Sequence, residues 1–313
     1  MQNRIVEIAT DGIHLSLTRG FVRLFKDGSE IGRIGLPDIG ALIVRGYGAS
    51  LSLNLAARLA AENIPVVLCG PDQAPASIVW PVSGHHAQGH IIEGQGKLSL
   101  PRKKQVWKTL ISAKIRAQAE VLEAEGENAA DLHRMAKTVK SGDPDNLEAQ
   151  AARKYWPRLM HSIDESFTRS ADSDAISGNL NGWLNYGYAV LRAGAARSVL
   201  ASGLHPSLSV HHKSRGEALR LTSDLMEPFR PFVDLTVHRL ALKEDGPLPD
   251  LDRDRKAAIV RVLSRDLNGE TGASPVQTCL DRLCQSFARL CLGETKTLVL
   301  PDGLALPSGG MAV

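Results

Sequence analysis

The stretch Glu148-Ala-Gln-Ala-Ala-Arg-Lys-Tyr-Trp156 places one acid at the front of an alanine-rich run and closes on Arg153, Tyr155 and Trp156. Alanine is the best helix former, so Ala149, Ala151 and Ala152 make the run helical. On that helix Glu148 and Ala152 share a face, and Tyr155 lies about one turn further along. Small side chains beside the acid leave room for another helix or for a substrate backbone. Read alone, Glu148 is either a metal ligand on an alanine-walled edge or an ordinary surface charge.

The sequence on both sides of this helix is helical too. Residues 103–125 form a long amphipathic segment with Val106, Leu110, Ile111, Ile115 and Leu122 apolar, and 129–139 form a second helix. Ser141-Gly-Asp-Pro144 breaks the chain, and Asp143 or Asp145 caps the helix that carries Glu148. Further helices are expected over 179–200, 229–243, 252–267 and 276–292, with a short peripheral tail from Lys296. Pro228 suits a first helical turn, which puts Asp224 or Glu227 at a helix N-terminus.

Upstream the period changes. Residues 4–8, 13–18, 21–26, 30–35 and 41–44 read as short strands separated by Asp11-Gly12, Arg19-Gly20, Asp27-Gly28 and Pro37-Asp38, a spacing close to an antiparallel meander. A helix over 50–62 with Ser50 as its N-cap follows. Strands at 66–68 and 76–80 complete the region. The fold class is therefore α+β. A small, mostly-β domain spans 1–85, a linker 86–100 and a larger α-helical domain 101–313. The linker starts near Gly84-His85-His86-Ala-Gln-Gly-His90. With no Cys or acid close by, it reads as a flexible polar hinge rather than a metal site.

The chain has 313 residues, 43% of them hydrophobic and 23% charged, ordinary values for a soluble globular protein. No apolar run approaches the ~18 residues that span a bilayer, and no signal-peptide plan opens the chain, so a cytoplasmic protein without a membrane partner is expected. Four cysteines are too few for a disulfide scaffold. Cys279, Cys284 and Cys291 sit on helical sequence as buried thiols. The net charge of +3 names no partner. Its distribution says more: Arg102, Lys103, Lys104, Lys108, Lys114 and Arg116 fall in one block without an acid, either a phosphate-neutralising surface or a solvated helix face.

A second chemical stretch runs from Ser209-Val-His-His-Lys-Ser-Arg215 to Ser223-Asp-Leu-Met-Glu-Pro-Phe-Arg-Pro231. Asp224 and Glu227 are three apart, as a helical turn would pair them. They are hard-cation ligands or a helix cap. His211 and His212 precede a basic turn. An acid on an alanine helix, a histidine and a second acid form a mixed set that suits Mn²⁺ or Mg²⁺ better than structural zinc. The nearby Arg and Lys side chains suit an anionic substrate, with phosphate the obvious one.

These motifs together resemble the CRISPR-associated adaptation integrase family, which inserts new spacers into CRISPR arrays, and within it the type II-like branch. The resemblance covers most of the chain. It rests on Pro65-Val-Val-Leu-Cys-Gly70, Trp80-Pro-Val82, Gly84-His-His86, the Glu148–Trp156 stretch, Leu184-Asn-Tyr-Gly-Tyr-Ala-Val-Leu-Arg192 and Ser223–Pro231. It implies a β-sandwich-like N-terminal domain, a helical catalytic domain and a homodimer. It also implies a Mg²⁺ or Mn²⁺ ion held by Glu148, His212 and Glu227, with Asp224 and His211 as alternates and His205 a distant third. The implied partners are double-stranded DNA, as spacer fragment and as repeat, and a small companion adaptation protein that bridges two dimers. The implied reaction is phosphoryl transfer from a 3′-hydroxyl to a repeat phosphodiester. Arg153, Lys213 and Arg215 are expected near the reacting phosphate, and Arg102, Lys103, Lys104 and Lys108 along the duplex. Relatives tend to carry an Asn- and Phe-rich linker after the histidine, where this chain has Lys213-Ser-Arg-Gly-Glu-Ala218. Two other readings share these features: an inactive homodimeric DNA-binding scaffold, and a metal-dependent repair nuclease.

Overall fold

Two dipeptides set the first register. Arg19-Gly20 and Asp27-Gly28 each have both residues at positive φ, 49° and then 79°, the requirement of a type I′ hairpin turn whose twist matches the strands it joins. The computed structural model describes residues 4–62, 64–70, 75–79, 81, 85–171, 178–270 and 272–305. Of the sequence stations, Trp80, Val82 and Gly84 lie outside the described residues.

The N-terminal strands are β1 (Arg4–Ile8), β2 (His14–Thr18), β3 (Phe21–Lys26), β4 (Ser29–Gly35), β5 (Ile39–Val44), β6 (Ser50–Leu51), β7 (Val66–Cys69) and β8 (Pro75–Val79), with helix α1 (Leu53–Ala61) between β6 and β7. They form two four-stranded sheets, ordered β1-β5-β7-β8 and β4-β3-β2-β6. The expected meander holds for β2, β3 and β4 alone, which pair antiparallel. β1 and β7 each pair parallel with β5. The sequence of β5, Ile-Gly-Ala-Leu-Ile-Val, is buried throughout, as a strand covered on both faces requires. Ile8, Ile13, Leu15, Val22, Leu42, Leu55 and Leu59 join both sheets and α1 in one core. Helix α1 begins three residues later than expected, because Ser52 rather than Ser50 caps it, accepting from the Leu55 N–H at 3.3 Å. Ser50 and Leu51 pair with β2 instead.

The helical part comprises α2 (Gln88–Gly96), α3 (Leu100–Ala124), α4 (Ala130–Thr138), α5 (Leu147–Met160), α6 (Leu180–Ala201), α7 (Arg220–Met226), α8 (Arg230–Ala241), α9 (Arg253–Val260) and α10 (Val276–Cys291). The 86–100 stretch, expected as a linker, thus carries α2, and Gly94 lets it press on α10: a methyl there would stand 2.7 Å from the Cys291 carbonyl oxygen. The expected helix over 252–267 ends early, in a 3₁₀ turn (Arg261–Ser264) and β9 (Asp266–Asn268). Short strands β10 (Ser274–Pro275) and β11 (Gly303–Leu304) flank β9 in a small antiparallel sheet. The tail is therefore built in. Leu304 also donates its N–H to Glu120 of α3.

Helix α6 is the axis of the helical part. Its Gly187 allows close approach to α8, where a methyl would come within 2.4 Å of Val233 Cγ1. Its Ala193 packs on Ile43 and Val67, so α6 also covers the outer face of the β1-β5-β7-β8 sheet. Cys279 and Cys284 are buried on α10. Among the described residues no helix is long and apolar enough to cross a membrane.

Candidate active site

Helix α5 presents Glu148 in its first turn. Asp143 caps this helix, accepting from the Leu147 and Glu148 N–H groups at 2.9 and 3.0 Å. Ala151, Tyr155 and Leu159 form its buried face, and the Tyr155 hydroxyl donates to Asp234 of α8 at 3.1 Å. The alanine-rich motif thus anchors one end on α8 and offers its acid at the other.

Glu227 reaches the same place by a route the sequence does not show. Helix α7 ends at Met226, and Glu227-Pro228-Phe229 form a 3₁₀ turn that runs into α8. Pro228 sits in that turn, as its missing N–H and fixed φ permit. Asp224 is inside α7, not at a helix N-terminus. Glu227 is almost fully buried, and Arg230 donates to its Oε1 at 3.1 Å. Lys114, from α3, lies between the two acids. Its Nζ is 2.5 Å from Glu148 Oε1 and 2.6 Å from Glu227 Oε2. Burial pushes the Glu227 carboxyl up, but Arg230 and Lys114 outweigh it and hold it at about 2. The same two carboxylates keep the Lys114 ammonium charged in spite of its burial.

The histidines sit in the loop between α6 and α7. Asp224, fully buried, accepts three consecutive backbone N–H groups, from Val210 (2.6 Å), His211 (3.0 Å) and His212 (3.1 Å). Its Oδ1 also lies 2.6 Å from His212 Nδ1. That contact raises the His212 pKa above its ordinary value, against burial. With Nδ1 committed to a carboxylate, Nε2 is the nitrogen left for a ligand, the usual arrangement behind a metal-binding histidine. His211 instead stacks flat on Trp107 of α3, with ring centroids 4.0 Å apart and 3° between planes, and burial lowers its pKa. His205 serves a turn, its Nδ1 accepting from the Ser207 N–H. The carboxylate contact thus distinguishes His212 from His211, which stacks on Trp107, and from His205, which serves a turn. It also gives Asp224 the task of shaping the histidine loop, with both oxygens engaged.

Glu148 and Glu227 are brought together, and the charge of Glu227 is felt at His212. The described residues contain no group of three or more His, Cys, Asp or Glu side chains arranged to hold a metal ion; the two acids meet at Lys114 instead. Their donor chemistry nonetheless fits a hard divalent cation. Two carboxylates already share one cation, and the buried Glu227 Oε2 meets Lys114 in an ion pair at 2.6 Å. Of the basic candidates, Arg153, Lys213, Arg215 and Lys104 are exposed, and Arg102, Lys103 and Lys108 half-buried. Arg153 is five residues from Glu148, about 140° around the helix, so the two face different ways.

Two partners escaped the motif reading. Lys114 sat in a block of lysines and arginines with nothing to mark it as buried except its place among Leu110, Ile111 and Gln118 on one helical face. Asp234 lies beyond the Ser223–Pro231 motif, yet both Tyr155 and Tyr188 donate to it, and Arg230 lies over the Tyr188 ring at 4.5 Å. Burial pushes Asp234 up to about 6, against the two hydroxyls and Arg230. The folded chain therefore binds a proton here more tightly than the unfolded chain does. That stabilisation is complete below pH ~4 and is lost as pH rises to ~6. Urea unfolding between pH 4.5 and 7 is expected to show wild type losing about 2 kcal/mol relative to Asp234→Asn. An equal slope in both proteins would refute the assignment.

With this geometry in hand, comparison with known proteins is decisive. The sequence profile of the family described as CRISPR associated protein Cas1 matches residues 6–261. The chain is 33% identical over 300 residues to the CRISPR-associated endonuclease Cas1 of Neisseria meningitidis serogroup C (strain 8013), covering 95% of each protein. The chain belongs to the Cas1 family. Two solved structures share the fold. A casposase bound to integration product superposes with a TM-score of 0.77 at 19% identity, covering 95% of this chain and 92% of that one. A Cas6-RT-Cas1–Cas2 complex gives 0.73 at 15% identity, covering 96% of this chain and 36% of that one. At these identities the structures speak for the Cas1 fold alone.

Proposed function

We propose that this Cas1-family chain is a metal-dependent DNA endonuclease and integrase of the type II-like branch, acting in the cytoplasm to insert short duplex fragments into a CRISPR array. The observation that carries the reading is the convergence of Glu148 and Glu227 on one cation position, beside a histidine whose Nδ1 is already committed. Membership of a family whose relatives are called endonucleases supports the reaction class, and a casposase caught with its integration product supports strand transfer on this fold.

In this reading Glu148, His212 and Glu227 hold Mg²⁺ or Mn²⁺. Such an ion, when bound, polarises a phosphodiester and stabilises the charge that develops on it. The protein does the rest by position. A spacer 3′-oxygen forms a new P–O bond at the repeat as the repeat's own P–O bond breaks and its 3′-oxygen leaves. Asp224 fixes the histidine loop, and Arg230 holds Glu227 in place. Lys213 and Arg215 meet the phosphates nearest the site, with Arg153 further round α5. Arg102, Lys103, Lys104 and Lys108 line the N-terminal half of α3 and follow the duplex, a contribution that weakens as salt rises. A homodimer, joined to a second by a small companion protein, presents two such sites. The Cas1–Cas2 assembly of the fold relative supports that partner.

The test is integration of a labelled duplex into a plasmid carrying the cognate repeat, with Mg²⁺ or Mn²⁺ and with EDTA. Joined product that needs the ion and the repeat is expected. Cutting without joining would identify a repair nuclease instead, and DNA binding with neither reaction would identify a scaffold.

A further inference from the structure

Lys114 differs from every other member of the basic block between Arg102 and Arg116. The others are exposed or half-buried, whereas Lys114 is only 8% exposed. Its neighbours on the buried face of α3 include Trp107, Leu110, Ile111 and Gln118, and its ammonium meets the two acids from among them. The target is the gap between two acids from separate elements, α5 and the 3₁₀ turn after α7. Two carboxylates held this close, one of them buried, would repel each other without a cation between them. Arg230 does not fill that role, since it approaches Glu227 from the other oxygen, Oε1.

The two contacts, 2.5 and 2.6 Å, are about 0.5 Å longer than the ~2.1 Å that Mg²⁺ takes to oxygen. Replacing the ammonium by an ion would thus need only a small closure of each carboxylate. The same space cannot hold both cations. Lysine suits exchange, because its charge is compact and its stem flexible, whereas an arginine fork would be locked by its geometry.

We propose that Lys114 is a resident counter-cation. It holds Glu148 and Glu227 together in the metal-free protein, occupies the position between them that a divalent ion takes, and withdraws when the ion enters. This deepens the metal-site reading above and rests on it. Lys114 is then a positioning residue: it keeps the carboxylates pre-assembled, and ion entry is a cation exchange.

The experiment compares wild type, Lys114→Met and Lys114→Arg, with Glu148→Gln as reference, using Mn²⁺ alone as the probe. Mn²⁺ affinity is read by electron paramagnetic resonance and thermal stability by melting in EDTA and in Mn²⁺. Lys114→Met is expected to melt lower than wild type in EDTA, to gain more from Mn²⁺, and to bind it about tenfold tighter, since a competing charge is gone. Lys114→Arg should keep the EDTA stability and bind Mn²⁺ more weakly. In wild type, acetylation of Lys114 by an N-hydroxysuccinimide ester, read by mass spectrometry, should be slow in EDTA and faster with Mn²⁺; this readout needs no variant to fold. Unchanged Lys114 reactivity alongside Mn²⁺ binding that Glu148→Gln abolishes would overturn the exchange and leave the metal site standing, as would equal or weaker binding by a folded Lys114→Met. Mn²⁺ binding indifferent to Glu148 would instead remove the metal site and the exchange with it.

Discussion

Glu227→Ala is expected to destabilise the metal-free protein by about 3–5 kcal/mol, the range for removing one partner of a buried ion pair. Two cations lose their counter-charge at once. Lys114 keeps Glu148 alone, and Arg230 keeps no carboxylate contact at Oε1. Because Glu227 is held at about 2 in the fold against an ordinary 4.5, its contribution is fully present above pH ~4.5 and drains away as pH falls towards 2. The deficit of the variant should therefore shrink on acidification, leaving near pH 2 mainly what the lost side-chain volume costs. Denaturant unfolding in EDTA at pH 7, 4 and 3 checks this. A deficit that is small at pH 7, or independent of pH, would mean that Glu227 is not the charge the cluster is built on. Glu227→Gln, which keeps the volume and one acceptor, should lose less than the alanine variant at pH 7.

This cluster also shows what the sequence could and could not convey. Local signals were legible where one residue type answers one local demand. The Arg19-Gly20 and Asp27-Gly28 dipeptides announced turns, Asp143 and Asp145 announced an α5 cap of which Asp143 is the one used, and the apolar stripe of α3 announced a long helix. Pairing partners were less legible. That β1 lies parallel to β5 depends on which sheet each strand joins, a choice made by packing between distant segments. Helix α7 was missed because it is one short element before a proline, and β9 to β11 because two- and three-residue strands leave no period to read. At the site, the types of Glu148, His212 and Glu227 were visible as motifs, with His212 already preferred to His211, but the different supports of the two rings, Asp224 beside one and Trp107 under the other, were not. Lys114 was hidden for a different reason. A lysine among lysines signals solvent, and its burial is set by acids 34 and 113 residues further along the chain.

Glu148→Gln is expected to lower strand transfer by about 10³-fold while leaving the fold intact, the scale of losing a charged group that stabilises a reacting phosphate. The two halves of that expectation come from different features of the same residue. Its side chain is 29% exposed, unlike that of Glu227, so removing its charge leaves no deeply buried orphan. The amide of glutamine still offers an oxygen to Lys114, and Asp143 still caps the helix through backbone N–H groups that the substitution does not touch. Melting temperature should therefore move by a few degrees at most. Chemistry is less forgiving, because a neutral amide is a poor ligand for a hard cation and supplies none of the negative charge that draws the ion in. Integration of labelled duplex, measured beside DNA affinity and melting, separates these effects. Full transfer by a folded Glu148→Gln would remove the carboxylate from the reaction, whereas a variant that binds DNA normally, melts normally and fails to join it would place the charge of Glu148 at the chemical step.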